Sequence, residues 1–469
     1  MDSVPVETTS PLILELPQIP QPQITVAPTS KSSTRFPKNA IRTSLKASTV
    51  DAVFAAIFSL ATGGILLSNF LVELDASPVV FGMMSSIPML VNLVQPLGAY
   101  FSERTTSRFY YSLWTFGIAR LLWLILLIGV VSYSWGWVNS QELEILTLLI
   151  VLVSHLLAGL GSASWLSWLA MIVPRRLRGR YFGIRNSAAS LTNLVCVPLG
   201  GLLISHWYGG TLQGYGVVLL VSIVFGILSL GCQYFKVDIN PQAQNAIVQY
   251  PRQQAEPSNT VESLPKTIFP EADITSSLWK NSNFLMFLFY SALWMLAVNL
   301  SAPFFNLYML DTLHLNVSWV TLYASLQAGA NLLMMMFWGK LADKMGNRLI
   351  LIFIGVLVAV TPFLWLGINI NNFGLWLWLP LLHIVTGGSW AAIDLCNNNM
   401  QLEIAPIKNQ SLYFAIASAV AGFSGALGTT IGSFIAQFAQ HGSLLGLFAL
   451  SGMLRLVALI PLLFVKEGS

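Results

Sequence analysis

In the tenth apolar stretch of this 469-residue chain, His383, Gly387, Trp390 and Asp394 stand at i, i+4, i+7 and i+11. At about 100° per residue, that spacing draws one narrow stripe along a helix. The stripe offers a base that titrates near neutrality, a gap, a flat aromatic with an N–H donor, and a carboxylate. His383 and Asp394 could therefore bind a solute or carry a proton, with interhelical hydrogen bonding as the alternative for either. The fourth stretch repeats His-x-x-x-Gly at His155 and Gly159, followed by Trp165 and Trp168. An indole suits the apolar face of a ring-shaped solute but also packs bundles; the reading favours a cavity for Trp165 and Trp390 and packing for Trp168. Asn299 and Asn306 flank Pro303, and Gln327 and Asn331 share a helix face at i, i+4. Amides both donate and accept, so these four suit a neutral, hydroxylated ligand or contacts between helices equally.

The elements that carry these groups are apolar. The sequence is 55% hydrophobic and 9% charged, against roughly 25% charged in a soluble domain. From Ser48 to Val465, stretches of about 20 apolar residues recur, each long enough to cross a hydrocarbon layer of roughly 30 Å as a helix. They lack the dyad alternation of a membrane barrel. The expected fold is all-α: a polytopic membrane protein with twelve transmembrane helices in two pseudo-symmetric six-helix bundles. Spans are expected near 48–72, 79–101, 109–131, 144–172, 184–205, 216–235, 283–309, 318–338, 349–368, 375–396, 411–438 and 443–465. The organisation reads as a disordered cytoplasmic tail over 1–47, a bundle over 48–235, a Pro-rich cytoplasmic linker over 236–282 and a second bundle over 283–466. The tail lacks the apolar core of a signal peptide. Cys196, Cys232 and Cys396 read as packing residues. No Gly-x-x-x-x-Gly-Lys-Ser/Thr loop is present, so neither a nucleotide site, a cofactor, a metal nor an enzymatic activity is expected.

Charge orients the spans. Of the 23 Lys and Arg residues, 21 fall in the tail, in the loops after even-numbered spans, or at the C-terminus. The positive-inside rule then puts both termini in the cytoplasm, in the plasma (inner) membrane of the cell. The other two, Arg120 and Arg455, lie inside spans, roughly 16 Å from the cytoplasmic ends. That is too deep to snorkel, so each is expected to form a structural ion pair. The halves also resemble each other: Val173-Pro174 precedes Tyr181-Phe182 as Ala405-Pro406 precedes Tyr413-Phe414, and the same 232-residue shift carries Gly200 onto Gly432. A duplicated six-helix unit predicts a substrate site between its copies.

Between the eighth and ninth spans the chain reads Gly339-Lys340-Leu341-Ala342-Asp343-Lys344-Met345-Gly346-Asn347-Arg348, which resembles the signature loop of the major facilitator superfamily. The resemblance implies a cytoplasmic gate at Gly339, Asp343 and Arg348, with the glycine permitting close helix contact and the carboxylate engaging a helix terminus when that side closes. In the first half Gly98 and Arg108 match, whereas Ser102 stands in the aspartate's place and Glu103 follows it. The fourth span is similar to the family's Arg-x-x-x-Gly-x-Gly, with His155 at the arginine position before Gly159 and Gly161. Pro198-Leu199-Gly200-Gly201 is close to its antiporter signature. The implied activity is secondary transport of a small solute by alternating access, in a monomer whose first, fourth, seventh and tenth spans line the pathway. Protons and membrane lipids are the further expected partners, and nucleic acid is not. Two rivals remain at this level. One is a non-transporting assembly factor or sensor with a plugged cavity; the other is an exporter of amphiphilic or drug-like compounds with a lateral opening.

Overall fold

The computed structural model describes residues 37–173, 178–238, 281–368, 371, 373–404, 410–438 and 443–466. Most of the expected tail and linker, and the loop residues Pro174, Arg175, Arg176, Ala405, Pro406 and Lys408, lie outside them. Among the described residues the secondary structure is helical throughout, and eleven helices are long and apolar enough to cross a membrane. The second pass is made by two shorter helices, Pro78–Val91 and Gln95–Glu103. Pro88 inside one and Pro96 at the start of the other remove amide donors, which accounts for the division. The first helix starts at Lys38, ahead of the expected Ser48, because helix formers carry it past the apolar segment.

The twelve passes form two bundles of six. Besides the second, four of them change course in instructive places. The first span runs as Lys38–Thr62 and Gly64–Glu73, broken at Gly63 and Gly64, where Gly64 has φ +61°. The seventh runs as Ser282–Asn299 and Ala302–Leu307 and ends in a π turn over Tyr308–Thr312. The tenth opens with a π turn, Gly374–Trp378, before Leu379–Ile404, and the twelfth closes with a 3₁₀ turn, Pro461–Phe464, after Ser443–Ala458. The other spans are Arg108–Ser134, Ser140–Ile172, Arg178–Ser205, Thr211–Gln233, Val317–Met345, Asn347–Leu364 and Gln410–Phe438. Proline explains the seventh span as well, since Pro303 sits in the first turn after its break.

A broken helix inside a membrane frees carbonyls that lipid cannot satisfy. In both halves the outer scaffold supplies the donors. Tyr215 Oη of the sixth span donates to the Ala61 carbonyl at 2.8 Å, one turn before the first break. Ser451 Oγ of the twelfth donates to the Ala297 carbonyl at 2.7 Å, at the matching place in the other half. The two intramembrane arginines serve the same scaffold. Arg120 Nη1 on the third span donates to the Gly226 carbonyl of the sixth at 2.7 Å, and Arg455 Nη1 on the twelfth donates to the Val358 carbonyl of the ninth at 3.0 Å. In place of the ion pair expected of each, both bond main-chain acceptors directly, and the buried Asp51 carboxylate acts on Arg120 only through its charge.

Among the described residues, a buried ion pair does form between the first span and the end of the sixth. Lys236 Nζ, just past the sixth span, meets Asp51 Oδ2 of the first at 2.8 Å, and Ser229 Oγ bonds the other carboxylate oxygen. The ammonium also lies 5.3 Å and 5.6 Å from the ring centroids of Trp165 and Trp168. Burial pulls the lysine below its ordinary range, and the Asp51 charge opposes that pull.

Glycines set the helix crossings. A Cβ on Gly387 would collide with the Gln327 carbonyl oxygen of the eighth span, and one on Gly159 with Val91 of the second. The repeated His-x-x-x-Gly is thus a crossing motif with a histidine one turn before the contact. Between the halves, Gly82 abuts Ser433, Gly201 abuts the Thr321 hydroxyl, and Ser86 Oγ donates to the Ala426 carbonyl at 3.3 Å. These contacts lie away from the loops that carry Lys and Arg. Towards the basic end, Leu97, Tyr100, Phe101, Met335 and Phe337 are exposed.

Two outcomes test this frame. Lys236→Met strands a buried carboxylate and should cost about 3–5 kcal/mol, read as a lower thermal midpoint of the detergent-solubilised protein; adding Asp51→Asn should restore most of it. A single variant melting with the wild type would refute the buried pair. Gly387→Leu should cost about 1–3 kcal/mol by overpacking, and an unshifted midpoint would mean that spans eight and ten do not touch there.

Candidate functional site

A cavity of about 940 Å³ lies between the halves and opens at the basic end. Its far end is shut by the Gly82 and Gly201 contacts. One wall is the fifth span, with Asn186, Ser190 and Asn193; the other is built by spans seven to ten, with Asn306, Gln327, Asn331, His383 and Trp390. Phe305, Trp365 and Trp390 supply aromatic surface. The polar groups that could hold a solute are therefore mostly amides and hydroxyls, set against indole and phenyl faces. Such a surface offers hydrogen bonds in both directions and flat apolar contact.

Asn306 sits where the parts converge. It lines this cavity and also a smaller one of about 170 Å³, which contains His155, Ser68, Ser85 and the Gly63–Gly64 break. The break in the seventh span, with Pro303 one turn ahead, places Asn306 on a short helix of its own. The two histidines of the repeat thus border adjoining spaces, one in each half.

Their rings are held alike. His155 Nδ1 lies 2.9 Å from the Val151 carbonyl and His383 Nδ1 lies 2.8 Å from the Leu379 carbonyl. A carbonyl only accepts, so Nδ1 carries the hydrogen in both, and the neutral ring keeps Nε2 as a bare acceptor. Protonation at Nε2 would convert that acceptor into a donor. His383 packs against Tyr323 and Trp365, with centroids at 5.3 Å and 5.8 Å.

Other residues singled out in the sequence lie elsewhere. Asp394 is exposed one turn beyond Trp390 towards the basic end, and it is not part of the cavity lining. Asn299 is buried, donating to the Met295 carbonyl at 2.8 Å beside Gly425. Trp165 stacks under the Arg185 guanidinium, 4.5 Å from the ring centroid. Trp168 is buried and donates to the Val237 carbonyl at 2.8 Å. At the gate positions, Asp343 is exposed at the end of the eighth span, and a Cβ on Gly339 would meet Leu395 at ordinary contact distance. Arg348 donates to the carbonyls of Leu462 and Leu463. Gly98 presses on the Leu160 backbone, Arg108 is buried at the start of the third span, and Glu103 ends the second. Ser102, in the aspartate's place, bonds Ser164 at 2.5 Å, tying spans two and four.

Sequence reasoning missed the fifth-span wall. Asn186, Ser190 and Asn193 stand at i, i+4 and i+7, the same kind of stripe that marked the tenth span, so the signal was available. The reach of the cavity to Thr361 and Trp365 of the ninth span and Arg455 of the twelfth carried no such signal.

Solved structures share this architecture. The nucleoside transporter NupG superposes with a TM-score of 0.63 at 14% identity, covering 90% of this chain and 98% of that one. A D-xylose-proton symporter gives 0.65 at 15% identity over 91% and 98%. The inward-open xylose transporter XylE from E. coli gives 0.61 at 16% over 92% and 97%. At these identities the likeness is one of fold. No curated protein matches the sequence. The family model of the Major Facilitator Superfamily matches residues 52–400 and 295–469, in keeping with the two bundles, the signature loop and the central cavity, and this integral membrane protein belongs to that superfamily.

Proposed function

We propose that the protein is a secondary transporter, moving a small solute by alternating access with no chemical step. The observation that carries this reading is the cavity of about 940 Å³ between the halves, open at the basic end and shut at the other. A binding site at the interface of two inverted or repeated bundles is what rocking of one against the other exposes to each side in turn. The charge distribution of the loops assigns the basic end to the cytoplasm, so the arrangement corresponds to an inward-facing state. In that state the exposed Asp343 waits for a partner that closure would bring. The sugar and nucleoside cargo named for the structural neighbours fits the same chemistry of amides beside aromatic faces. A plugged, non-transporting relative is disfavoured by the open, polar-lined space.

Proton coupling is assigned to His383. Its Nε2 is the free lone pair in the cavity, and the groups facing it are Tyr323, Trp365 and, in the same space, Arg455. A second reading, export of amphiphiles, draws on a crevice of about 420 Å³ lined by Leu60, Ile65, Leu66 and Val197.

Counterflow into liposomes tests the transport reading. Purified protein should accumulate one or more labelled nucleosides, sugars or small organic acids, and Asn306→Leu should lower the rate about tenfold or more by removing both hydrogen-bonding functions at the junction, with an unshifted thermal midpoint. Failure of every solute to exchange would sink it. An inward proton gradient should stimulate uptake by the wild type and not by His383→Gln; equal stimulation of both would remove His383 from the coupling.

A further inference from the structure

The cavity does not stop at the spans that normally line such a pathway. It passes behind the seventh and tenth spans and reaches the ninth and twelfth, where Val358, Thr361 and Arg455 form the end of an annex. Arg455 is 3% exposed. Besides the Val358 bond, its Nη2 donates to Ser301 Oγ at 3.0 Å and to the Val298 carbonyl at 3.4 Å. Its Nε is buried without a hydrogen-bond partner.

Capping the broken seventh span accounts for part of this. The guanidinium sits at the C-terminal end of Ser282–Asn299, where a helix dipole offers the equivalent of roughly half a negative charge. The remainder is uncompensated, because no carboxylate is present among the described residues that line the cavity. Arg120 is the counterpart in the first half, and there the buried Asp51 carboxylate lies near enough to act on its charge. This arginine does the corresponding scaffold work, bonding Gly226 and lying 5.5 Å from the Phe58 centroid, yet it lines none of the three cavities. Both arginines are buried, and what separates them is place: Arg455 lines the wall of the central cavity and Arg120 does not.

We propose that Arg455 anchors the anionic group of the transported solute, and that the solute is a small organic monoanion of the carboxylate type with an apolar, flat body. The carboxylate enters the annex beside Thr361 and Arg455, and the body lies against Phe305 and Trp365. Among the described residues lining this space Arg455 is the one permanently charged side chain, which suits a single negative charge and disfavours multiply charged cargo. Thr361 already donates to the Leu357 carbonyl at 3.0 Å, so the donors for the anion come from the guanidinium. This deepens the transport reading by naming the substrate class.

The test uses the full-length protein in detergent and three matched pairs: benzoate with benzamide, phenylacetate with phenylacetamide, and nicotinate with nicotinamide. Calorimetric titration should find at least one acid bound about tenfold or more tightly than its amide. Arg455→Gln should erase that preference, and Arg455→Lys should keep part of it. Because Arg455 also braces the seventh span, Ala302→Leu gives an independent arm: it fills the annex from the opposite wall, leaves the guanidinium bonds in place, and should abolish acid binding at an unshifted thermal midpoint. The proposal is overturned if no pair is discriminated by the wild type, or if the preference survives Arg455→Gln or Ala302→Leu. Counterflow separates this from the broader reading. Equal exchange of acid and amide would sink the anion site and leave transport standing, whereas Arg455-dependent acid binding without exchange would do the reverse.

Discussion

In hydrocarbon, a main-chain carbonyl without a partner has no water to turn to, and the rest of this structure follows from that constraint. It forces helices nearly everywhere and permits breaks only where a neighbouring side chain can reach in. The first and seventh spans break at matching depths, and the sixth and twelfth answer with Tyr215 and Ser451. Arg455 adds donors at the second break. The polar residues buried in the scaffold helices are thus the condition for irregular backbone at the centre.

Irregular backbone in turn makes the cavity. Had the seventh span continued unbroken through Leu300 and Ser301, Asn306 would belong to a long regular helix. It sits instead at the junction of two spaces, each edged by a histidine whose ring is fixed by its own helix. The fixed tautomer matters more than proximity, since it decides that the free nitrogen is the one that changes from acceptor to donor with a proton.

The two-bundle fold was legible in the sequence because lipid imposes long apolar runs, and because loop charge and the 232-residue repeat constrain the same topology. The tenth-span stripe was legible for a similar reason: helical periodicity places His383, Gly387 and Trp390 on one face whatever surrounds them. Periodicity gives the face of a helix but not the depth at which a neighbour ends its cover, so it could not separate Trp390, in the cavity, from Asp394, outside it. The fifth-span stripe is equally readable from its spacing, but neutral amides and hydroxyls in a span cost less than charges and so mark a pathway less sharply. Arg455 was legible as an intramembrane charge, but not as part of the cavity wall. Its place in that wall is a property of packing across distant segments, and no local pattern encodes it.

The contacts between the halves have a mechanical meaning. Gly82 and Gly201, with Gly422 against the Met89 carbonyl, place smooth backbone at the points where one bundle bears on the other. Meshed knobs and holes must be lifted out of register, rotamer by rotamer, before two surfaces can turn. A glycine-faced seam leaves only small side chains, Ser433, Thr321 and Ser86, to lift, so under the alternating access proposed above it would serve as a plain bearing. On that proposal, the closest approach in the molecule would also be where the halves turn most freely.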